Sequence, residues 1–126
     1  MYSLALQRAF CARHYLIGGD WGAENDPHPH NYRVEVRLRA AELDVHGYLV
    51  DLDKLEQVLD VCIANYRDRL LNDLTEFDGL NPSIENFAQR FYTRIARGIG
   101  RHRFHEIEIR IWENEEAWAS YRERFP

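Results

Sequence analysis

The sequence predicts an α+β fold in which an antiparallel sheet carries two helices on one face. Three observations point to it. Two long stretches near the N-terminus alternate apolar and polar residues, two central stretches repeat apolar residues at helical spacing, and a short alternating stretch returns near the C-terminus. At 126 residues the chain is long enough for one core and too short for two, so it reads as a single domain, residues 1–126.

In residues 3–14, Leu4, Leu6, Phe10, Ala12 and His14 share one strand face, with Arg8 the exception. The segment Gly18-Gly19-Asp20-Trp21-Gly22-Ala23-Glu24-Asn25-Asp26-Pro27 is rich in turn formers and must be a loop. A second strand starts at His28-Pro29-His30, with Tyr32, Val34, Val36 and Leu38 on one face and Arg33, Glu35, Arg37 and Arg39 on the other. His46-Gly47 reads as a turn. Leu52, Leu55, Val58, Leu59, Cys62, Ile63 and Tyr66 then mark an amphipathic helix capped by Asp51. A loop holding Phe77-Asp78-Gly79 leads to Asn81-Pro82-Ser83, which opens a second helix. Its stripe is Ile84, Phe87, Ala88, Phe91 and Ile95, and Gly98 and Gly100 end it. Ile107, Ile109 and Ile111 alternate with Glu106, Glu108 and Arg110 in a third strand. The stretch Asn114–Tyr121 is expected to be a short helix, and residues 98–106 hold a turn or a strand start.

Composition narrows the function classes. Apolar residues make up 45% and charged residues 29%, as in soluble globular proteins. A net charge of -5 supplies no basic surplus for nucleic acid. There is no apolar run of membrane-spanning length and no signal-peptide pattern at the N-terminus, so no membrane partner is expected. Cys11 and Cys62 do not make a secreted disulfide framework; both read as free thiols of a cytoplasmic protein.

Strand parity puts His14 at the end of one apolar row and His28 and His30 at the start of the next, so all three can meet at one end of a hairpin-like pair. Such histidines are either hydrogen-bonded core residues or metal ligands. Three imidazoles with an open fourth position suit catalytic zinc, and a structural site would normally be closed by a fourth protein ligand. Glu113 continues the inward parity of Ile107, Ile109 and Ile111. It either forms a salt bridge or meets water at a finished strand, or it receives a ligand that offers paired N–H donors.

These residues, taken in order, resemble the 6-pyruvoyltetrahydropterin synthase and 6-carboxytetrahydropterin synthase family over nearly the whole chain. The matching pieces are Phe10-Cys11-Ala12-Arg13-His14, His28-Pro29-His30-Asn31-Tyr32, Gly47-Tyr48-Leu49-Val50-Asp51, Leu71-Asn72, Asn81-Pro82-Ser83-Ile84-Glu85-Asn86, and Trp112-Glu113 with Trp118-Ala119-Ser120-Tyr121. The resemblance implies a tunnelling fold, in which subunits pair sheet edges into a barrel, commonly as a homohexamer with active sites at the interfaces. It implies zinc held by His14, His28 and His30, a pterin anchored by Glu113, and a contact from Ser83. The chemistry it implies acts on dihydroneopterin triphosphate, with zinc as a Lewis acid and a cysteine, assisted by an Asp–His pair, moving protons.

The chain departs from that machinery twice. Glu24 stands where the closest members have the cysteine, and no cysteine lies between Cys11 and Cys62. Tyr66-Arg67-Asp68 stands where a Leu-Asp-His element is expected, and no histidine lies between His46 and His102. Glu24 is the candidate base, its alternative being a solvated loop residue. Members with glutamate there resemble a branch that cleaves the side chain to hydroxymethylpterin. Asp68 is carried as a second candidate catalytic residue, with pairing to Arg67 or another helix-surface charge as its other role. His46, His102 and His105 read as surface or turn residues.

Overall fold

The computed structural model describes residues 1–100 and 103–126. Four strands, β1 (Tyr2–His14), β2 (His28–Ala40), β3 (Glu106–Trp112) and β4 (Trp118–Arg124), form one antiparallel sheet in the order β1-β2-β3-β4. Both helices, α1 (Leu52–Ala64) and α2 (Ile84–Ile99), lie in the connection between β2 and β3. They share one core with the apolar face of the sheet, whose inward rows are Tyr32, Val34, Val36 and Leu38 from β2 and Ile107, Ile109 and Ile111 from β3. The α+β expectation therefore holds, and no helix among the described residues is long and apolar enough to cross a membrane.

The helix starts follow from local chemistry. Asp51 accepts a hydrogen bond from the Asp53 N–H at 3.0 Å, and Ser83 Oγ accepts one from the Asn86 N–H at 3.2 Å. Gly100, at φ 78°, terminates α2. Gly98 is not part of that stop. It lies inside α2, where an added Cβ would come within 2.8 Å of Val58 Cγ1, so its bareness sets how closely α1 and α2 approach. Phe87 of α2 packs against Phe10, Tyr32, Tyr66, Phe77 and Phe91, with ring centroids 4.9–6.0 Å apart, and so links α2 and the segment that follows α1 to the sheet just below the histidines.

Arg8, which interrupts the apolar row of β1, reaches α1: its Nε lies 3.2 Å from Asp60 Oδ1 and its Nη2 3.5 Å from Glu56 Oε1. The stretch Asn114–Tyr121 is not a helix. Asn114 Oδ1 accepts the N–H groups of Glu116 and Ala117 at 2.9 and 2.8 Å, making a hairpin turn that delivers β4. From Trp118 onward exposure alternates, and Tyr121 turns inward against Tyr92 of α2 at 5.0 Å. The pair Glu115-Glu116 and the alanines favour a helix locally, but pairing with β3 overrides them. His46 is exposed in its turn, and His105 is exposed beside β3. His102 lies outside the described residues.

The face of the sheet away from the helices carries charges in opposed pairs. The register sets Glu35 against Arg110, Arg37 against Glu108, and Arg39 and Arg124 on either side of Glu106. Glu106 is 1% exposed. Burial disfavours its charge, but the Arg124 Nε–H bond at 2.9 Å and the fields of Arg39 and Arg122 outweigh that and hold its carboxyl below the usual range. A lowered folded pKa contributes stability above the ordinary carboxylate range and loses it as pH falls through the lowered value. Glu106→Gln is therefore expected to lower stability by about 1–2 kcal/mol at neutral pH, measured by urea denaturation. The gap to the parent should shrink on acidification; equal stability at pH 7 would refute this account.

Candidate metal centre and its pocket

The β1–β2 register builds the histidine cluster. His14 is paired with His28 and Ala12 with His30, so three imidazoles project from adjacent positions on the inward face. Their ligand-capable atoms all lie within 4.8 Å of one another. Ring centroids are 4.6, 4.8 and 5.0 Å apart, with interplanar angles of 70°, 88° and 79°.

Hydrogen bonds fix the tautomers of two of the rings, His14 and His28. His14 Nδ1 lies 2.8 Å from the Pro82 carbonyl and His28 Nδ1 lies 2.8 Å from the Asp26 carbonyl. A carbonyl oxygen only accepts, so each Nδ1 carries the proton and each Nε2 keeps its lone pair. His28 Nε2 is buried and has no hydrogen-bond partner. A buried acceptor without a donor is costly, and a metal ion among the three rings would satisfy it. Burial, above all, lowers the His14 pKa; His30 and His28 act in the same direction, against the Pro82 carbonyl and Glu24. The neutral, ligating form is thus the favoured one. The chemistry of the donor set fits a divalent metal such as zinc.

A cavity of about 220 Å³ opens beside His14, lined by Leu16, Trp21, Glu24, Asn81, Ser83, Ile84, Glu85 and Glu113. Cavities of about 400 and 820 Å³ lie elsewhere, one between the helices at Val58 and Arg94 and one beside Tyr2 and Tyr48, but neither is lined by His14, His28 or His30. The fold thus brings His14, Glu24, Ser83 and Glu113 to one place. Glu24 sits in a single 3-10 turn, Gly22–Asn25, and its carbonyl accepts the Leu16 N–H at 2.9 Å. Glu113 follows the last residue of β3 and is half-buried. Its charge adds to burial in raising the pKa of the Tyr32 phenol, whose oxygen lies 3.3 Å from His14 Nδ1. Asp68 is not among the residues lining the cavity. It is exposed, in the left-handed region at φ 60°, and its N–H donates to the Cys11 carbonyl at 2.7 Å.

Several asparagines hold the cavity wall, and nothing in the sequence pattern assigns them that role. Asn72 Oδ1 accepts the Tyr15 N–H and its Nδ2 donates to the Tyr15 carbonyl, both at 2.9 Å. Asn81 Oδ1 accepts the Ile17 N–H at 3.0 Å, and Asn25 Nδ2 donates to the Leu16 and Gly19 carbonyls at 3.0 Å. Asn81 thereby ties the 15–27 loop to the segment that opens α2, Asn72 ties it to the turn at Leu71–Asp73, and Asn25 braces it internally. Trp21 and Glu85 also escape sequence reasoning, because loop and first-turn residues carry no periodicity that would aim them.

The family model described as 6-pyruvoyl tetrahydropterin synthase matches residues 3–124. The chain belongs to that family. A 6-carboxy-5,6,7,8-tetrahydropterin synthase from Bacillus subtilis (strain 168) is 30% identical over 88 residues, which is 67% of this chain and 58% of the relative's own length. The 6-pyruvoyl tetrahydropterin synthase of Caenorhabditis elegans superposes with a TM-score of 0.78 at 24% identity, covering 96% of both chains. A Plasmodium vivax 6-pyruvoyltetrahydropterin synthase superposes with a TM-score of 0.82 at 13% identity over 98% of both. These likenesses establish the tunnelling fold of the 6-pyruvoyl tetrahydropterin synthase family for this chain.

Proposed function

We propose that this chain is a zinc-dependent enzyme acting on dihydroneopterin triphosphate or a related pterin side chain. The observation that carries the reading is one small cavity lined both by His14, a member of the metal-competent histidine cluster, and by a half-buried carboxylate, Glu113. His14, His28 and His30 would hold the metal. When bound there, zinc supplies Lewis-acid polarisation of side-chain oxygens.

The protein's own groups do the rest. Glu113 accepts two N–H donors from the edge of the amino-pyrimidinone ring, and Ser83, at the start of α2, borders the same space. Glu24 takes up the proton from the activated side chain. The solved P. vivax structures include variants in which a glutamate named as a catalytic residue is replaced by alanine or cysteine, so a carboxylate is named in that role within the family. Asp68 is left with a surface role in this reading.

The proposal extends to a cytoplasmic homohexamer with sites at subunit interfaces. In support, the cavity of about 220 Å³ falls below the roughly 300 Å³ at which small-molecule sites begin, and Trp21, Glu24 and Glu85 on its rim are exposed in the single chain. A second reading, a zinc-containing pterin- or purine-binding homologue without lyase turnover, is favoured by the absence of a cysteine between Cys11 and Cys62.

Incubating the zinc-loaded protein with dihydroneopterin triphosphate and following products by mass spectrometry tests the enzyme reading. A product that has lost triphosphate is expected, with turnover reduced about 10²–10⁴-fold in Glu24→Ala. Unchanged turnover in that variant removes Glu24 from the mechanism. Tight pterin binding without any product selects the binding-protein reading.

A further inference from the structure

Trp21 is an exposed aromatic residue, 44% accessible, in the wall of the histidine cavity. An indole left 44% accessible in a cavity wall can meet a ligand on whichever face the protein does not cover. Its backbone is fixed on both sides: the N–H donates to Asn25 Oδ1 at 2.7 Å and the carbonyl accepts the Glu24 N–H at 3.3 Å. Its ring is fixed as well. A Cβ added to Gly19 would lie 2.7 Å from Trp21 Cη2 and 3.0 Å from both Cζ2 and Cζ3. Near-equal distances to three consecutive ring atoms put Gly19 over the ring's face rather than against its edge. One face of the indole is thus covered by bare backbone.

We propose that the other face of Trp21 is a stacking platform for the flat bicyclic ring of the ligand, and that Gly19 is bare in order to hold the indole in that position. This rests on the pterin reading of the pocket. The geometry favours a planar, fused-ring ligand over an acyclic one, because Glu113 recognises an edge while Trp21 recognises a face. Two perpendicular constraints fix the ring plane, leaving the ring's side chain to be directed between the histidines and Glu24. Trp21 is a positioning residue; it touches the ring and takes no part in proton transfer.

The test uses the zinc-loaded protein and 7,8-dihydroneopterin, with affinity by calorimetry and tryptophan emission followed in parallel. Trp21→Ala is expected to weaken binding about tenfold, the scale of one lost base–aromatic stack, while Trp21→Phe stays within a few-fold of the parent. Gly19→Ala keeps the indole but displaces it, and should weaken binding to a similar extent as Trp21→Ala. Zinc content should be equal in all three variants. Quenching of emission by the ligand should be largely lost in Trp21→Phe, although Trp112 and Trp118 remain. If the parent binds and Trp21→Ala binds equally well, the platform is overturned and the pterin reading stands. If the parent binds no pterin at all, both fall together.

Discussion

His28→Ala is expected to remove bound zinc entirely, from one ion per chain to none, as measured by elemental analysis after gel filtration. The three rings sit with ligand-capable atoms within 4.8 Å, and among the described residues no cysteine or carboxylate belongs to the same cluster to take over a lost position. Two ligands bind zinc far more weakly than three, because each imidazole removed leaves a position to water. His28 is a better test than His14, which is 2% exposed and whose removal would also open a hole above Tyr32. Linkage supplies a second readout. Zinc at a hundred times its dissociation constant should stabilise the parent against unfolding by about 2.7 kcal/mol, and should do nothing for the variant. Stoichiometric zinc in His28→Ala would show that the cluster is packing, not a metal site.

Glu113→Gln is expected to weaken binding of dihydroneopterin more than a hundredfold, with zinc content unchanged. The reason is the match of donors to acceptors. A carboxylate offers two acceptors to two N–H groups, and a hydrogen bond to a charged partner is worth about 1.5–3 kcal/mol. The amide keeps the size of the side chain but turns one acceptor into a donor, which then faces another donor. Glu113 is half-buried beside Tyr32, so water does not fully compensate. Titration calorimetry on the zinc-loaded protein measures the effect. An affinity within a few-fold of the parent would remove Glu113 as the anchor and leave the cavity without its recognition element.

The parts of this molecule that can be read from the sequence are those whose period is enforced by the core. Tyr32, Val34, Val36 and Leu38 announce β2, and the same parity carries His28 and His30 inward, so the fold and the histidine cluster are legible together. The stripe of α2 and its Ser83 cap are legible for the same reason. Local preference acting alone misleads. Glu115-Glu116-Ala117 favours a helix, yet Asn114 turns the chain and β3 captures the segment from Trp118 onward. The loop residues are legible only as loop. Nothing in the spacing of Asn25, Asn72 and Asn81 shows that their amides meet backbone from the 15–17 segment, because such contacts depend on how distant elements dock.

The pairing of β1 with β2 has a consequence for how the sheet selects its alignment. Both strands are 13 residues long and alternate with period 2, so sliding one past the other by two residues would keep the inward apolar row of each strand facing the helices. Hydrophobicity alone therefore discriminates poorly between neighbouring alignments of this hairpin. The histidines do discriminate. Only the alignment that sets His14 opposite His28 closes the triad, so an ion bound there would act as a proofreader of strand alignment, favouring the correct hairpin over its slipped neighbours during folding.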